Sequence, residues 1–251
     1  MTEPVSPGSA GERLFARYAY APNHLGYCGP ADAAALVSLA SSGSVPDGAD
    51  IAGIASRFSG AWPYLVVLAE LAGISDPLDE RVVRAYWTGG PLLASVDREV
   101  FARKLLDRIG SAAGHYWAHL GEELLPEAAP THGFHVFGVY PWTRLLKSPT
   151  PEPAVQVLDS CRIRWGQVQS VSGSSVTIRT SRLTWDGSRL GIGEDVQETV
   201  SPGFVDDPAP GDWLAVHWDH VSDRLTGEQA AELTSQTDWQ LMVTNERLAR
   251  A

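Results

Sequence analysis

Apolar residues recur at helical spacing from Glu12 to about Leu146, and at alternate positions over much of the chain beyond Pro153. Leu14, Phe15, Tyr18 and Ala19 form a first amphipathic face, which Pro22-Asn-His-Leu-Gly26 should interrupt. A second helix is expected from Pro30, with Ala33, Leu36, Val37 and Ala40 on one side. Ile51, Ile54 and Phe58 predict a third. Pro63 suits the first turn of a fourth, which Gly73 stops. Asp76-Pro77 opens a fifth, Asp97 caps a sixth, and Trp117 and Leu120 belong to a seventh. The apolar run His132 to Trp142 allows a buried strand or a buried helix, because its period selects neither.

Lys147-Ser-Pro-Thr-Pro-Glu-Pro153 predicts a linker. Beyond it Val155, Val157, Ile163, Trp165, Val168, Val171, Val176 and Ile178 largely alternate with polar residues, and Ser172-Gly-Ser174 marks a hairpin turn. Leu183 to Trp185 and Val196 to Val200 continue the strand series. Thr226 or Gly227 then opens a terminal helix through Ala230 and Leu233. The pattern gives an α+β protein. Residues 1–11 form a disordered lead, 12–146 a helical domain, 147–153 the linker, 154–225 a small OB-like β-barrel and 226–251 a C-terminal helix.

The net charge of -11 argues against nucleic acid and anionic membrane surfaces as partners. No apolar run is long enough to span a bilayer, and the N-terminus has no signal-peptide core, so a cytoplasmic protein is expected. There are two cysteines, Cys28 and Cys161. That count gives no disulfide framework, and in a reducing compartment both thiols stay free to act.

Two stretches carry the candidate chemistry. Cys161-Arg-Ile-Arg-Trp-Gly-Gln-Val168 puts a thiol at the start of a strand pattern. Gly211-Asp-Trp-Leu-Ala-Val-His217 is a turn followed by an apolar strand ending on an imidazole. Closure of one small barrel could bring Cys161 and His217 to the same end, where thiolate and imidazole suit a soft metal. The bland alternative is a buried thiol and a strand-end ring with packing roles.

Residues 158–235 resemble the HypC-type chaperones of nickel–iron hydrogenase maturation. The resemblance rests on Cys161 followed by Gly166, the Gly211-Asp212 turn, the strand ending in His217, and Leu225 to Ala230 at a helix start. It implies a chaperone with Cys161 and His217 as the metal and cofactor-binding pair. The cargo would be iron carried as a cyanide/carbonyl fragment, and the partner a hydrogenase large subunit or a maturation scaffold protein. The chain departs from that family in three ways. Cys161 is internal, Trp165 stands where the family has Pro, and Arg182 to Pro210 is inserted. The N-terminal stretches around Cys28, Trp62 and Phe134 resemble an uncharacterised family of high-GC bacteria.

A different chemistry is written in Cys28-Gly-Pro30, which resembles the nucleophile turn of papain-like cysteine hydrolases. In that reading His135 is the base and Asp159 orients it. Pro22 occupies the place of the family's oxyanion glutamine. A third reading is a metal-free protein-interaction module. His115 and His119 share a helix face, but lack the intervening Glu of a zinc protease. His132 with His135, or His24 near Cys28, could join a metal site. Core hydrogen bonding is the plainer role for the first pair.

Overall fold

The computed structural model describes residues 5–31, 33–112 and 122–250. The seventh predicted helix, with His115 and His119, lies outside these residues.

The lead is structured from residue 5. Strand β1, Val5–Pro7, pairs antiparallel with β2, Ser44–Pro46. Helix α1, Ala10–His24, then starts on a capping box in which the Ser9 and Glu12 side chains satisfy each other's backbone N–H groups. Pro22 lies inside α1 rather than ending it. A proline there has no N–H for the Tyr18 carbonyl four residues before it, and that carbonyl accepts from His217 Nδ1–H at 2.7 Å instead.

Helix α2, Ala34–Ser42, begins four residues after Pro30. Helices α3, Ile51–Ser56, α4, Trp62–Ala72, α5, Glu80–Thr88, and α6, Arg98–Ala112, come in the expected order. Asp97 accepts from Glu99 N and Val100 N at the start of α6.

The ambiguous run is helical. A short α-turn, α7, His132–Phe134, passes into a π-turn, His135–Val139, closed by Tyr140 N–H donating to the His135 carbonyl at 2.8 Å. Such i→i+5 turns recur at functional sites.

The expected linker, residues 147–153, is non-helical only over 148–151, and helical segments take up both of its ends. Pro141–Lys147 is a 3₁₀ segment, and helix α8 runs Glu152–Cys161. Val155 and Val157 are therefore helical, not the first strand. Prolines at 151 and 153 suit a helical first turn, Glu152 complements its dipole, and buried Ala154 and Leu158 are one turn apart.

Five strands complete the second half: β3, Arg164–Ser172, β4, Ser175–Trp185, β5, Leu190–Val200, β6, Trp213–His217, and β7, His220–Leu225. They form one antiparallel sheet in the order β5-β4-β3-β6-β7. The predicted barrel is not closed. Among the described residues the outer strands meet only through a single bridge from Ser201 to His220, because the chain leaves β5 there for the loop to Gly211. The inserted segment is largely the β4–β5 hairpin. Helix α9, Gly227–Arg250, ends the described chain. The architecture is α+β.

The largest hydrophobic cluster joins the two halves. Phe15, Tyr64, Val83 and Phe134 share it with Ile163 just before β3, Ala215 and Leu225 from the sheet and Leu233 from α9. Functional side chains from distant segments can therefore meet on a packed, common interior.

Candidate metal centre

The β6–β7 hairpin turns on Trp218 and Asp219, both left-handed at φ 52° and 58°. That is the backbone of a two-residue type I′ turn, normally reserved for Asn or Gly. Three contacts hold it. Trp218 N–H donates to the Ser160 carbonyl at 2.9 Å, Trp218 stacks on Tyr27 at 3.9 Å between centroids, and Asp219 pairs with Arg164 and Arg182. The first contact ties the hairpin to the residue before Cys161. His217 and Cys161 are thus fixed side by side, one at the end of β6 and one at the end of α8.

The ligand atoms of Cys161, His217 and His132 all lie within 4.8 Å of one another. His217 is 1% exposed, and its Nδ1–H donates to the Tyr18 carbonyl at 2.7 Å. This fixes the tautomer and leaves the Nε2 lone pair buried without a hydrogen-bond partner. Metal-binding histidines are commonly anchored in this way. Burial pushes the His217 ring down to about 4, so it stays neutral near pH 7.

Both ring nitrogens of His132 are engaged. Nε2–H donates to the Cys161 carbonyl at 2.8 Å, and Tyr86 O–H donates to Nδ1 at 3.0 Å. A bare Nε2 would set its lone pair against that carbonyl oxygen, so a cation takes this nitrogen, 4.0 Å from Cys161 Sγ, only by displacing the hydrogen bond. Burial, reinforced by His217 and His135, holds His132 well below the usual histidine range.

Cys161 is partly buried as a residue, but its sulfur is enclosed. That burial raises the thiol, and the Trp218 indole N–H acts in the opposite sense. A helix C-terminus also disfavours an anion. A cation beside the sulfur would reverse this balance and displace the proton.

The sulfur and the three imidazoles of His132, His135 and His217 line a cavity of about 40 Å³, with Cys28 in the same wall. This is space for roughly two or three water-sized groups. Among the described residues, no carboxylate or basic side chain other than the imidazoles lines it. Tyr27, at 45% exposed, stacks on Trp218, and both rings line the cavity, so the pair is the solvent-facing part of its wall, a cap. Tyr27→Ala removes a stack worth about 0.5–1.5 kcal/mol and should speed alkylation of the enclosed thiols by roughly 2- to 10-fold. An unchanged iodoacetamide rate in the folded protein would show that the stacked pair does not gate the cavity.

The hydrolase constellation is not assembled. Cys28 lies in a loop six residues before α2, not at a helix N-terminus. Burial pushes its thiol up to about 12, away from the thiolate. His135 lines the same cavity, but burial lowers it to about 4. Asp159 is committed elsewhere. Its Oδ1 accepts from Arg162 Nε and Leu183 N, both at 2.9 Å, and its Oδ2 from Arg182 Nη1 at 3.0 Å. His24 stacks on Tyr20 and is not among the residues lining the cavity.

The expected pairing of Cys161 with His217 is thus present. Cys161 reaches it from a helix end rather than from the start of a strand. His132, which the sequence alone assigns more plainly to core hydrogen bonding, completes the trio. Its only local signal is the His-x-x-His spacing with His135 inside an apolar run. The chain belongs to the DUF6390 family, a family of unknown function, whose profile matches residues 7–251. Comparison with curated proteins and with solved structures gives no match.

Proposed function

We propose that this member of the family is a maturation factor for a nickel–iron hydrogenase, holding the iron fragment of the immature large subunit, or the subunit itself, through Cys161 and His217. The observation that carries this reading is the convergence of the Cys161 sulfur with the two imidazoles inside 4.8 Å. The HypC-like order of residues adds the identity of the cargo. Iron bearing cyanide and carbonyl ligands is soft, and thiolate with neutral imidazole is a fitting donor set.

The residues of this chain supply four things. His217 offers a lone pair that burial keeps unprotonated. The Cys161 thiol yields its proton as the cation arrives. Tyr18 and Tyr86 orient the two rings. Phe58, Trp87 and Trp218 keep water from the site. The cavity is small for a fragment with several diatomic ligands, so loading requires the Tyr27–Trp218 cap to part. Leu25, 53% exposed, sits two residues from Tyr27 and offers the client an apolar contact beside the cap.

No helix among the described residues is long and apolar enough to cross a membrane. A reducing cytoplasm would keep Cys161 available.

The test is co-expression of the tagged protein with a hydrogenase operon. The large subunit or a scaffold partner should co-purify with iron, and both should be lost in Cys161→Ala. Normal hydrogenase maturation in a Cys161→Ala strain would overturn the proposal. A partner retained without metal would favour the interaction-module reading.

A further inference from the structure

Two side chains in the wall of the cavity carry nitrogens without hydrogen-bond partners. Trp87 is 4% exposed and His135 is 5% exposed, and both line the cavity. Among the described residues, neither Trp87 Nε1–H nor His135 Nδ1 bonds to anything. A buried polar atom left in this state bears its full desolvation cost, so it marks a missing partner. An indole nitrogen can only donate, and a neutral imidazole can donate from either nitrogen. The partner that would serve both is therefore an acceptor.

Both rings lie beside the sulfur-and-imidazole cluster and take no part in it. The Trp87 ring, on α5, is 4.6 Å from His132 and 5.6 Å from His217 between centroids. His135 opens the π-turn, with its ring 5.7 Å from His132. Tyr64 and Tyr140 meet that ring edge to face at 6.0 and 5.1 Å. Gly60 leaves it room, since a Cβ there would lie 2.7 Å from His135 Nε2.

We propose that Trp87 and His135 recognise the cyanide carried by the iron, each donating an N–H to a cyanide nitrogen. They thereby select cyanide-bearing iron over iron bearing carbonyl alone. The inference rests on the reading that Cys161 and His217 hold an iron fragment. The Cys161 thiolate and a first cyanide neutralise iron(II). Each further cyanide adds a negative charge that resides largely on its outer nitrogen. An anion in an enclosed space needs a cation or N–H donors to replace water. Among the described residues no lysine or arginine lines the cavity, so the task falls to N–H groups held in place beforehand. Bound carbonyl is a weak acceptor and gains little from them. Both donors sit on helical turns of the interior, apart from the Tyr27–Trp218 cap that parts on loading.

The test loads the reduced, full-length protein with iron(II) and titrates it without oxygen, once with potassium cyanide and once with carbon monoxide. Infrared spectra read the two diatomic stretches. Trp87→Phe and His135→Phe should each weaken cyanide binding by roughly 5- to 10-fold and leave carbon monoxide binding within about 2-fold. His135→Gln keeps an N–H donor and should recover most of the loss. A variant that only disturbed packing would weaken both ligands alike. The wild-type protein equilibrated in D₂O should show a shifted cyanide band and an unshifted carbonyl band, a measurement that needs no variant to fold. Cyanide affinity unchanged in both Phe variants, an equal loss for both ligands, or a cyanide band indifferent to D₂O overturns the inference and leaves the iron reading intact. A loss confined to one variant overturns the other residue's part. Wild-type protein that retains no iron overturns both readings.

Discussion

Asp159→Ala is expected to destabilise the fold by about 3–5 kcal/mol, seen as a lower urea midpoint with an unchanged slope. The carboxylate is 5% exposed and serves three donors on two elements. Its removal has two consequences. Arg162, itself 3% exposed, becomes a buried cation without its anion. Leu183 N–H loses its acceptor at a β-bulge, where no neighbouring strand can replace it. Breaking one side of a buried pair costs far more than the pair contributed, because the remaining charge stays desolvated. The exposed Arg179–Asp195 pair is the internal control, and Asp195→Ala should cost about 1 kcal/mol or less. A loss below about 1 kcal/mol for Asp159→Ala would mean that Arg162 finds water or another partner. Helix α8 carries both Asp159 and Cys161, so this variant should also loosen the thiol's position.

Acid should unfold the chelator-treated protein earlier than its carboxylates alone would predict. His217 and His135 lie near 4 in the fold and near 6.5 when unfolded. Above about 6.5 both states are neutral, and the full stability is present. Between about 6.5 and 4 the unfolded chain takes up protons that the fold refuses, so stability falls with falling pH. The slope approaches about 1.4 kcal/mol per pH unit for each ring, or roughly 2–3 kcal/mol per ring across the window. His132 is displaced in the same direction. Asp223 and Glu127 oppose the trend, because burial raises their carboxyls and lets the fold hold those protons more readily. Urea midpoints measured from about pH 7.5 to 4.5 should therefore drop steeply, and His135→Phe should flatten the drop by about one ring's share. A flat profile would mean that the rings reach solvent in the fold.

The two effects share a cause. Charged and titratable groups enclosed in this interior are stable only with their designated partners, and the candidate centre lies among them. Arg164 is 1% exposed and pairs with Glu198 and Asp219. Through Asp219 it holds the strained hairpin next to His217. The same ion network thus supports the fold and fixes the geometry of the centre.

Local chemistry is legible in the chain by itself. The spacing of Ile51, Ile54 and Phe58, the proline at 63 with glycine at 73, the Ser172–Ser174 turn and the start of α9 near Gly227 all encode which side of an element is buried and where it stops. These signals need only the backbone periods of 3.6 and 2. The Gly211-to-His217 pattern likewise places an imidazole at a strand end.

Tertiary structure decided the rest. The prolines at 151 and 153 suggest a linker in sequence because the same residues serve either a loop or a helix's first turn. Packing of Ala154 and Leu158 selected the helix, and with it the placement of Cys161. The sheet stayed open because closure depends on where two edges meet, which alternation within a strand does not record. His132 and Cys28 are individually weak signals. They came to line one cavity only when α7, the Cys28 loop, α8 and β6 packed together, and that convergence depends on contacts across the whole chain, which no local period contains.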